Sequence, residues 1–382
     1  MLNLNSKFVL LYKTDLLFLF KYIYLHNMPK SKLTLIVDGN WLLMSRLSVL
    51  NNRYVDEFEL NQELKLMLIK SINVVLRTFT DIDNVIFVAD GGSWRNSIEI
   101  PDYLYKEKTS EDQSVEYKGN RVKSSDINWD LLFESYGDFI TTLQSCGITA
   151  CQEQGVEGDD WCYHWSTYLN SQGTNCIIWT KDNDLKQLVN IDSNKCFTVW
   201  WNSSNGLFVK DFPEEEFNFL FNTEFNINED LLNTLIHKSG EVHKINPSEI
   251  IVDKIIRGDA GDNIYPIILR KAKTNSTRSF KVATKDIDYS LDYKDDNAVN
   301  NYIHNLVNSK NYAGRINKTE QEIISHFKYN RKLVALEKES YPQEILDIFE
   351  KYHDYNISKD TSIAESQLQA KSNKLNGILD II

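Results

Sequence analysis

The 382-residue sequence is poor in the features that identify several protein classes. Its five cysteines are Cys146, Cys151, Cys162, Cys176 and Cys196, an odd number with no CxxC pair. That pattern argues against a disulfide framework or a zinc ribbon and points to a reducing, cytoplasmic setting. With only 15 Gly and 6 Pro, collagen-like and mucin-like chains are excluded and most residues are free to enter regular structure. No GxxxxGK[ST] occurs, so there is no Walker A loop. The most apolar stretch, FVLLYKTDLLFLFKYIY at 8–24, is broken by Lys13, Asp15 and Lys21. It therefore lacks the roughly 18 clean apolar residues of a membrane span. Acids outnumber bases, with 54 Asp and Glu to 42 Lys and Arg. The formal net charge of -12 excludes a wholly basic nucleic-acid-binding surface, though not a local basic patch.

What is present is an ordinary globular composition, with 42% hydrophobic residues and enough Phe, Tyr and Trp for a sizeable core. Trp161, Trp165, Trp179, Trp200 and Trp201 read as core residues. His164 lies among aromatics and has no companion His at ligand spacing. Residues 1–27 read as an upstream extension ahead of Met28, with an interfacial amphipathic helix as the alternative.

Short apolar runs ending in acids recur. LTLIVD at 33–38, NVIFVAD at 84–90 and NCIIWT at 175–180 (followed by Asp182 and Asp184) have the pattern of buried parallel strands, and 196–201 is a fourth such run. Helical periodicity marks 60–80 through Leu64, Met67, Leu68, Ile72 and Val75, and again 128–146 and 159–170. Strands alternating with helices predict an α/β fold, a mostly parallel central sheet flanked by helices. Beyond about residue 225 a mainly α-helical region is expected. The segment 285–297 is acidic, and the tail from 356 is polar with a late apolar cluster at Ile378, Leu379, Ile381 and Ile382.

Ligands of open α/β sheets gather beyond the carboxyl ends of the strands. Here those ends carry Asp38, Asp90, Asp182 and Asp184. Glu157, Asp159 and Asp160 stand at a helix start, and Asp259 and Asp262 share a face if their segment is helical. So many carboxylates held close together would raise one another's pKa values. Hard divalent cations relieve that, since Mg²⁺ and Mn²⁺ prefer oxygen ligands. Two such ions about 3.5–4 Å apart serve phosphoryl displacement. Helix capping is the competing role for each acid taken singly, Asp159 and Asp160 above all.

Six blocks carry a resemblance. They are IVDGN at 36–40, FVADGG at 87–92 with SWR ending at Arg95, EYKGNR at 116–121, VEGDD at 156–160, TKDNDL at 180–185 and IRGDAGDN at 256–263. In this order the chain resembles the flap endonuclease or 5′-nuclease family, and within it the T-even-type phage ribonuclease H branch, over roughly residues 31–355. NWDLLFES at 128–135 and YNRKLVALE at 329–337 add to the likeness.

The resemblance implies a PIN-like 5′-nuclease core over 28–225 that includes a mobile arch at 95–125. It also implies a helical DNA-binding region over 226–355 with a variant helix–turn–helix, then the tail at 356–382. It implies two Mg²⁺ ions, with Mn²⁺ as a substitute. Asp38, Asp90, Glu157, Asp159 and Asp182 match the acids around the first ion, and Asp160, Asp184, Asp259 and Asp262 those nearer the second. Lys118 and Arg121 match the block that faces the scissile phosphate, where a cation neutralises developing charge; Arg95 is a further candidate. Tyr117 is placed to stack on a base, with an ordinary packed Tyr as the alternative. Arg270, Lys271, Lys273, Arg278 and Lys281 form a basic segment suited to duplex phosphates. No glycine lies between Gly261 and Gly314, so the family's Gly-rich turn is altered and its K⁺ site is in doubt.

The implied activity is metal-dependent 5′→3′ exonuclease or flap endonuclease cleavage of RNA–DNA hybrid or duplex DNA near 5′ ends. Primer removal in phage DNA replication, with ribonuclease H activity, is the implied task. A monomer is expected, beside a single-strand-binding protein, in the host cytoplasm if the gene is a phage's. The rivals are a PIN-like ribonuclease, a non-catalytic structure-specific DNA-binding module, and a replication scaffold acting through the tail.

Overall fold

A computed structural model of the chain describes residues 33–50, 57–105, 114–121, 127–145, 148–192, 195–211, 227–271 and 279–353. The expected extension at 1–27 and tail at 356–382 lie outside the described residues, as do Lys273 and Arg278. The chain divides into two units. The first comprises Met1–Gly92, Ser125–Ile245 and Glu344–Ile382, and the second Ser93–Ser124 and Asn246–Gln343.

The first strand, β1 (Leu33–Asp38), buries all six of its residues. Both its faces are covered, which is why it reads as a continuous apolar run without polar alternation. It is followed by α1 (Gly39–Leu50), α2 (Glu57–Thr78) and β2 (Asn84–Val88). In the second unit comes the short α3 (Asp102–Tyr105). The first unit resumes with α4 (Trp129–Ser145), β3 (Thr149–Cys151), α5 (Gly158–Ser171) and β4 (Asn175–Trp179). It continues through β5 (Asn190–Ile191), β6 (Phe197–Asn202), β7 (Gly206–Lys210), α6 (Ile227–Ser239) and β8 (Val242–Ile245).

The main sheet runs β3-β2-β1-β4-β6-β7-β8, with β5 pairing β6. All pairs from β3 to β6 along this order are parallel, as is β7 with β8; β6 pairs antiparallel with β5 and β7. The expected mostly parallel sheet flanked by helices is thus observed. Its order has a functional consequence. From β1 the chain builds outward through β2 and β3, then returns to place β4 on β1's other side. The carboxyl ends of β1 and β4 therefore form a topological switch point, where open α/β sheets leave a crevice.

On one face, Leu33, Leu35 and Val37 of β1 pack with Phe87, Phe139 and the apolar sides of α1, α2, α4 and α6. The α2 stripe read from sequence is buried at Leu64, Leu68, Ile72 and Val75. The helix α5 packs against β1 and β4. All five tryptophans expected in the core are buried. Within the same unit, α10 (Gln343–His353) lays Phe349 and His353 against His164 of α5, with ring centroids 4.5 and 4.9 Å away. Burial, with His353 beside it, pushes His164 down to about 3, so its imidazole is neutral at pH 7.

The second unit contains α7 (Pro247–Arg257), a two-strand ribbon of β9 (Arg270–Lys271) and β10 (Ser279–Phe280), α8 (Asp296–Asn308) and α9 (Glu320–Val334). Asn246 caps α7 through the Ser248 N–H, and Pro247 takes the first position, where a missing N–H costs nothing. Residues 93–124 belong here for a packing reason. Leu104, Val115 and Tyr117 are buried in one core with Ile251, Val252, Ile255 and Ile256 of α7 and Phe327 of α9. Buried Asn330 joins the layers, donating to the carbonyls of Ile255 at 2.9 Å and Tyr265 at 2.8 Å. No described helix is long and apolar enough to cross a membrane.

Candidate functional site

The strand ends bring acids to one edge of the first unit. Asp38 closes β1, Asp90 lies just past β2, and Asp182 and Asp184 follow β4. Asp38 is the most constrained. It is only 5% exposed, and its two oxygens accept from the Trp41 backbone N–H at 3.0 Å and the Thr180 hydroxyl at 2.6 Å. Burial pushes its carboxyl up to about 7. The two hydrogen bonds oppose that rise, and the charges of Asp90 and Asp182 add to it.

Asp90 and Asp182 also accept from backbone N–H groups. Asp90 accepts from the Gly158 N–H at 2.6 Å, and its own N–H donates to Asn40 at 3.1 Å. Asp182 accepts from the Asp184 N–H at 2.9 Å, and its own N–H donates to the Thr180 hydroxyl at 2.9 Å. Thr180 thus links the β1 acid to the acid loop after β4. Trp200 fixes the same loop by donating its indole N–H to the Asp182 carbonyl at 2.8 Å.

Gly158 explains the close approach of α5. A Cβ there would meet Asp90 Oδ1 at 3.0 Å and Asp38 Oδ1 at 3.9 Å, so both carboxylates stand within 4 Å of one point at the helix start. The Cys162 thiol, one turn along α5, is fully buried. Burial pushes it well up, and Asp38, Asp159, Asp182 and Asp90 all add to the rise. Four acids from four chain segments therefore bear electrostatically on one buried thiol.

The capping alternative is realised in part. Glu157 is the N-cap of α5, and its N–H donates to Asp160 at 3.1 Å, the return arm of a capping box. Asp160 is fully buried in that role, whereas Asp159 is half-buried.

In the second unit, Asp259 and Asp262 do not lie on a helix. The α7 helix stops at Arg257 because Gly258 turns to φ +66. A Cβ there would also meet the Ile264 carbonyl oxygen at 2.3 Å. Asp259 and Ile264 then exchange backbone hydrogen bonds of 2.9 and 2.7 Å, closing a tight loop over Ala260–Asn263. Burial works against ionisation of Asp259. The Lys254 ammonium and the Gly261 and Asp262 N–H groups outweigh it and hold the carboxyl below its usual range.

The EYKGNR block docks on this loop. The Lys118 N–H donates to the Asp262 carbonyl at 2.8 Å, Asn120 donates to the Ala260 carbonyl at 2.8 Å, and Arg121 pairs with the Asp262 carboxylate at 2.5 Å. Two sequence motifs about 140 residues apart thereby form one clasp.

Other candidate residues are placed differently. Arg95 is 3% exposed, donates to the Leu333 carbonyl at 3.0 Å and lies against Trp94; its guanidinium is used in the unit's interior. Tyr117 is buried in the second core, the packed alternative to base stacking. Arg270 and Lys271 form β9, where the Arg270 guanidinium lies 5.3 Å from the Tyr312 ring centre. Lys271 and Lys281 are exposed.

Sequence reasoning did not single out Thr180, Asn40, Gly158, Lys254 or Asn263. Each lies beside or within a motif that was recognised, and that neighbourhood was the only available signal.

No family model and no curated protein matches the chain. Among solved structures it is similar to the T5 D15 protein co-crystallised with metal ions. That match has a TM-score of 0.49 and 15% identity, and covers 85% of this chain and 100% of the other. It is also similar to the bacteriophage T5 D15 flap endonuclease in a pseudo-enzyme–product complex with DNA and metal ions, with a TM-score of 0.47 and 15% identity, covering 87% and 100%. A third match is the T5 5′-exonuclease with bound zinc, with a TM-score of 0.46 and 16% identity, covering 84% and 97%.

Proposed function

We propose that the protein is a metal-dependent nuclease acting as a 5′→3′ exonuclease or flap endonuclease. The observation that carries this reading is the meeting of Asp38 and Asp90 at the start of α5, with Thr180 joining Asp38 to the Asp182 loop, at the sheet's switch point. The buried Asp38 carboxyl is pushed up to about 7 there. Asp38's own hydrogen bonds come from neutral donors, while two further carboxylates bear on it. Hard divalent cations fit such a donor set, being oxygen-seeking and neutralising the charge that burial penalises.

Asp38, Asp90, Glu157, Asp159 and Asp182 would hold a first Mg²⁺ or Mn²⁺. For a second, the sequence resemblance proposes Asp160, Asp184, Asp259 and Asp262. When bound, such ions supply charge neutralisation at the phosphate and a more acidic water. The protein's own part is orientation. Thr180 and the Trp41 N–H aim Asp38, the Gly158 N–H aims Asp90, and the Asp184 N–H aims Asp182. Lys118 and Arg121 would offer positive charge to a substrate phosphate. We give Arg95 and Tyr117 structural roles. Arg270, Lys271 and Lys281 would meet duplex phosphates without reading sequence.

The finer reading is RNA-primer removal with ribonuclease H activity in phage DNA replication, by a cytoplasmic monomer working beside a single-strand-binding protein. It rests on the order of the six sequence blocks.

The test is cleavage of 5′-labelled RNA–DNA hybrid, nicked duplex and flapped DNA, with Mg²⁺ and with EDTA. Wild type is compared with an Asp182→Asn/Asp184→Asn double variant. The expected result is metal-dependent release of short 5′ products, lost in a double variant that still folds. Tight binding with no cleavage under any divalent metal would replace this reading with the non-catalytic DNA-binding module.

A further inference from the structure

We propose that Asn263 is a positioning residue that sets Lys118 and Arg121 for their phosphate; the proposal rests on the functional reading above. Asn263 occupies the left-handed region at φ +58, which Asn tolerates better than most residues. Its side-chain amide donates to two carbonyls of the other motif, Ser114 at 3.0 Å and Glu116 at 2.8 Å. Tyr265, two residues on, donates its hydroxyl to the same Ser114 carbonyl at 3.0 Å.

These bonds anchor the start of a turn in which Lys118 also has positive φ, at +56. Such a conformation persists only where its surroundings over-determine it. Gly119 permits the turn to close, since a Cβ there would come within 2.2 Å of the Ser114 hydroxyl. The Glu116 carbonyl that Asn263 holds also accepts from the Gly119 N–H at 3.0 Å. Asn263 therefore fixes the Glu116–Tyr117 peptide, which opens the turn that carries Lys118. Its backbone neighbour Asp262 receives the Lys118 N–H and the Arg121 guanidinium. One residue thus determines where two cations stand relative to the GDAGDN loop.

Asn263→Gly keeps the backbone conformation and removes both donors; Asn263→Asp keeps the shape and sets a carboxylate against two carbonyl oxygens. In both variants kcat is expected to fall by on the order of 10²-fold, as for other small misplacements of a reacting group. KM is expected to stay within about twofold of wild type. Thermal unfolding of each variant identifies any that fails to fold, and Asn263→Gly carries the test if Asn263→Asp does.

The decisive readout is a mutant cycle against Lys118→Ala/Arg121→Ala. If Asn263 acts through these two cations, adding Asn263→Gly to Lys118→Ala/Arg121→Ala makes it no slower. Additive losses, or a wild-type rate in Asn263→Gly, would overturn the proposal. Amide hydrogen exchange separates this from a failure of the functional reading. A wild-type protein inert on all three substrates sinks the nuclease. In that case the Lys118 amide must still exchange faster in Asn263→Gly, or the positioning role fails too.

Discussion

In the first unit, Asp38 is buried and accepts from a hydroxyl and a backbone N–H, both neutral. In the second, Asp259 and Asp262 lie against Lys254 and Arg121. The two arrangements have opposite electrostatic consequences. Neutral donors fix geometry without cancelling charge, so Asp38 is held up at about 7. A nearby ammonium cancels charge, so Asp259 is held down although burial works against ionisation. A carboxylate already paired with a lysine or arginine holds the clasp and takes a metal ion only in exchange for, or beside, that partner. A carboxylate oriented but not neutralised suits a site for a cation from solution.

The largest expected effect breaks this contrast at its extreme. Asp38→Asn should lower cleavage by on the order of 10³-fold, as loss of a key electrostatic group does elsewhere. In EDTA at pH 8 the same variant should be more stable than wild type. The sign follows from the raised carboxyl. Between the unfolded value of 3.8 and about 7 the folded state binds more protons than the unfolded state, so wild-type stability falls as pH rises through that window. Asparagine removes that penalty. Thermal unfolding at pH 5 and pH 8, with EDTA and with Mg²⁺, reads it. Saturating Mg²⁺ should stabilise wild type more than the variant. An Asp38→Asn protein less stable than wild type at pH 8 in EDTA would mean that Asp38 holds the fold rather than a cation.

How much of this was legible in sequence depends on how far apart the cooperating residues are. The runs at β1, β2, β4 and β6 could be read because strands buried on both faces are continuous apolar segments. The positions of Asp38, Asp90 and Asp182 at strand ends followed directly. The three-residue β3 and the half-buried β8 carry too little pattern to be read. Thr180 looks like any polar residue after a strand, and its two bonds to the acids appear only once β4 is placed beside β1. The spacing of Asp259 and Asp262 suggested a shared helix face, but the helix ends at Gly258. The clasp joins Asn263 to Ser114 across 149 residues, a separation no local pattern encodes. Tyr117 shows the same limit. A lone Tyr between charged residues fits base stacking and packing alike, and only the second core shows it packed.

A smaller effect sharpens the comparison by removing orientation while leaving charge. Thr180→Val keeps the volume and deletes the hydroxyl that bridges Asp38 and the Asp182 N–H. Losses of about 10–100-fold in metal affinity are usual for such supporting groups. Titration of cleavage with Mn²⁺ should show an apparent affinity weakened within that range and a higher rate at saturating metal than at low metal. Thr180→Ser should restore wild-type behaviour. An unchanged Mn²⁺ requirement in Thr180→Val would show that the acids keep their positions without this bridge.

The smallest effect tests the exposed lysines of the second unit. Lys271 and Lys281 are exposed on and beside the β9–β10 ribbon. Replacing either by Ala should change stability by no more than about 0.5 kcal/mol, the usual range for an exposed substitution. If the ribbon meets duplex phosphates, each lysine in contact displaces about one counterion. The slope of log K against log salt should then become shallower by about 0.9 per lysine removed. Binding to duplexes of unrelated sequence should weaken to the same extent, because phosphates carry no sequence information. Measured across a range of KCl concentrations with Ca²⁺ in place of Mg²⁺, an unchanged slope in both variants would remove the ribbon from the nucleic-acid interface. The acid edge of the first unit would be untouched by that result, since its contribution is read through metal dependence and not through salt.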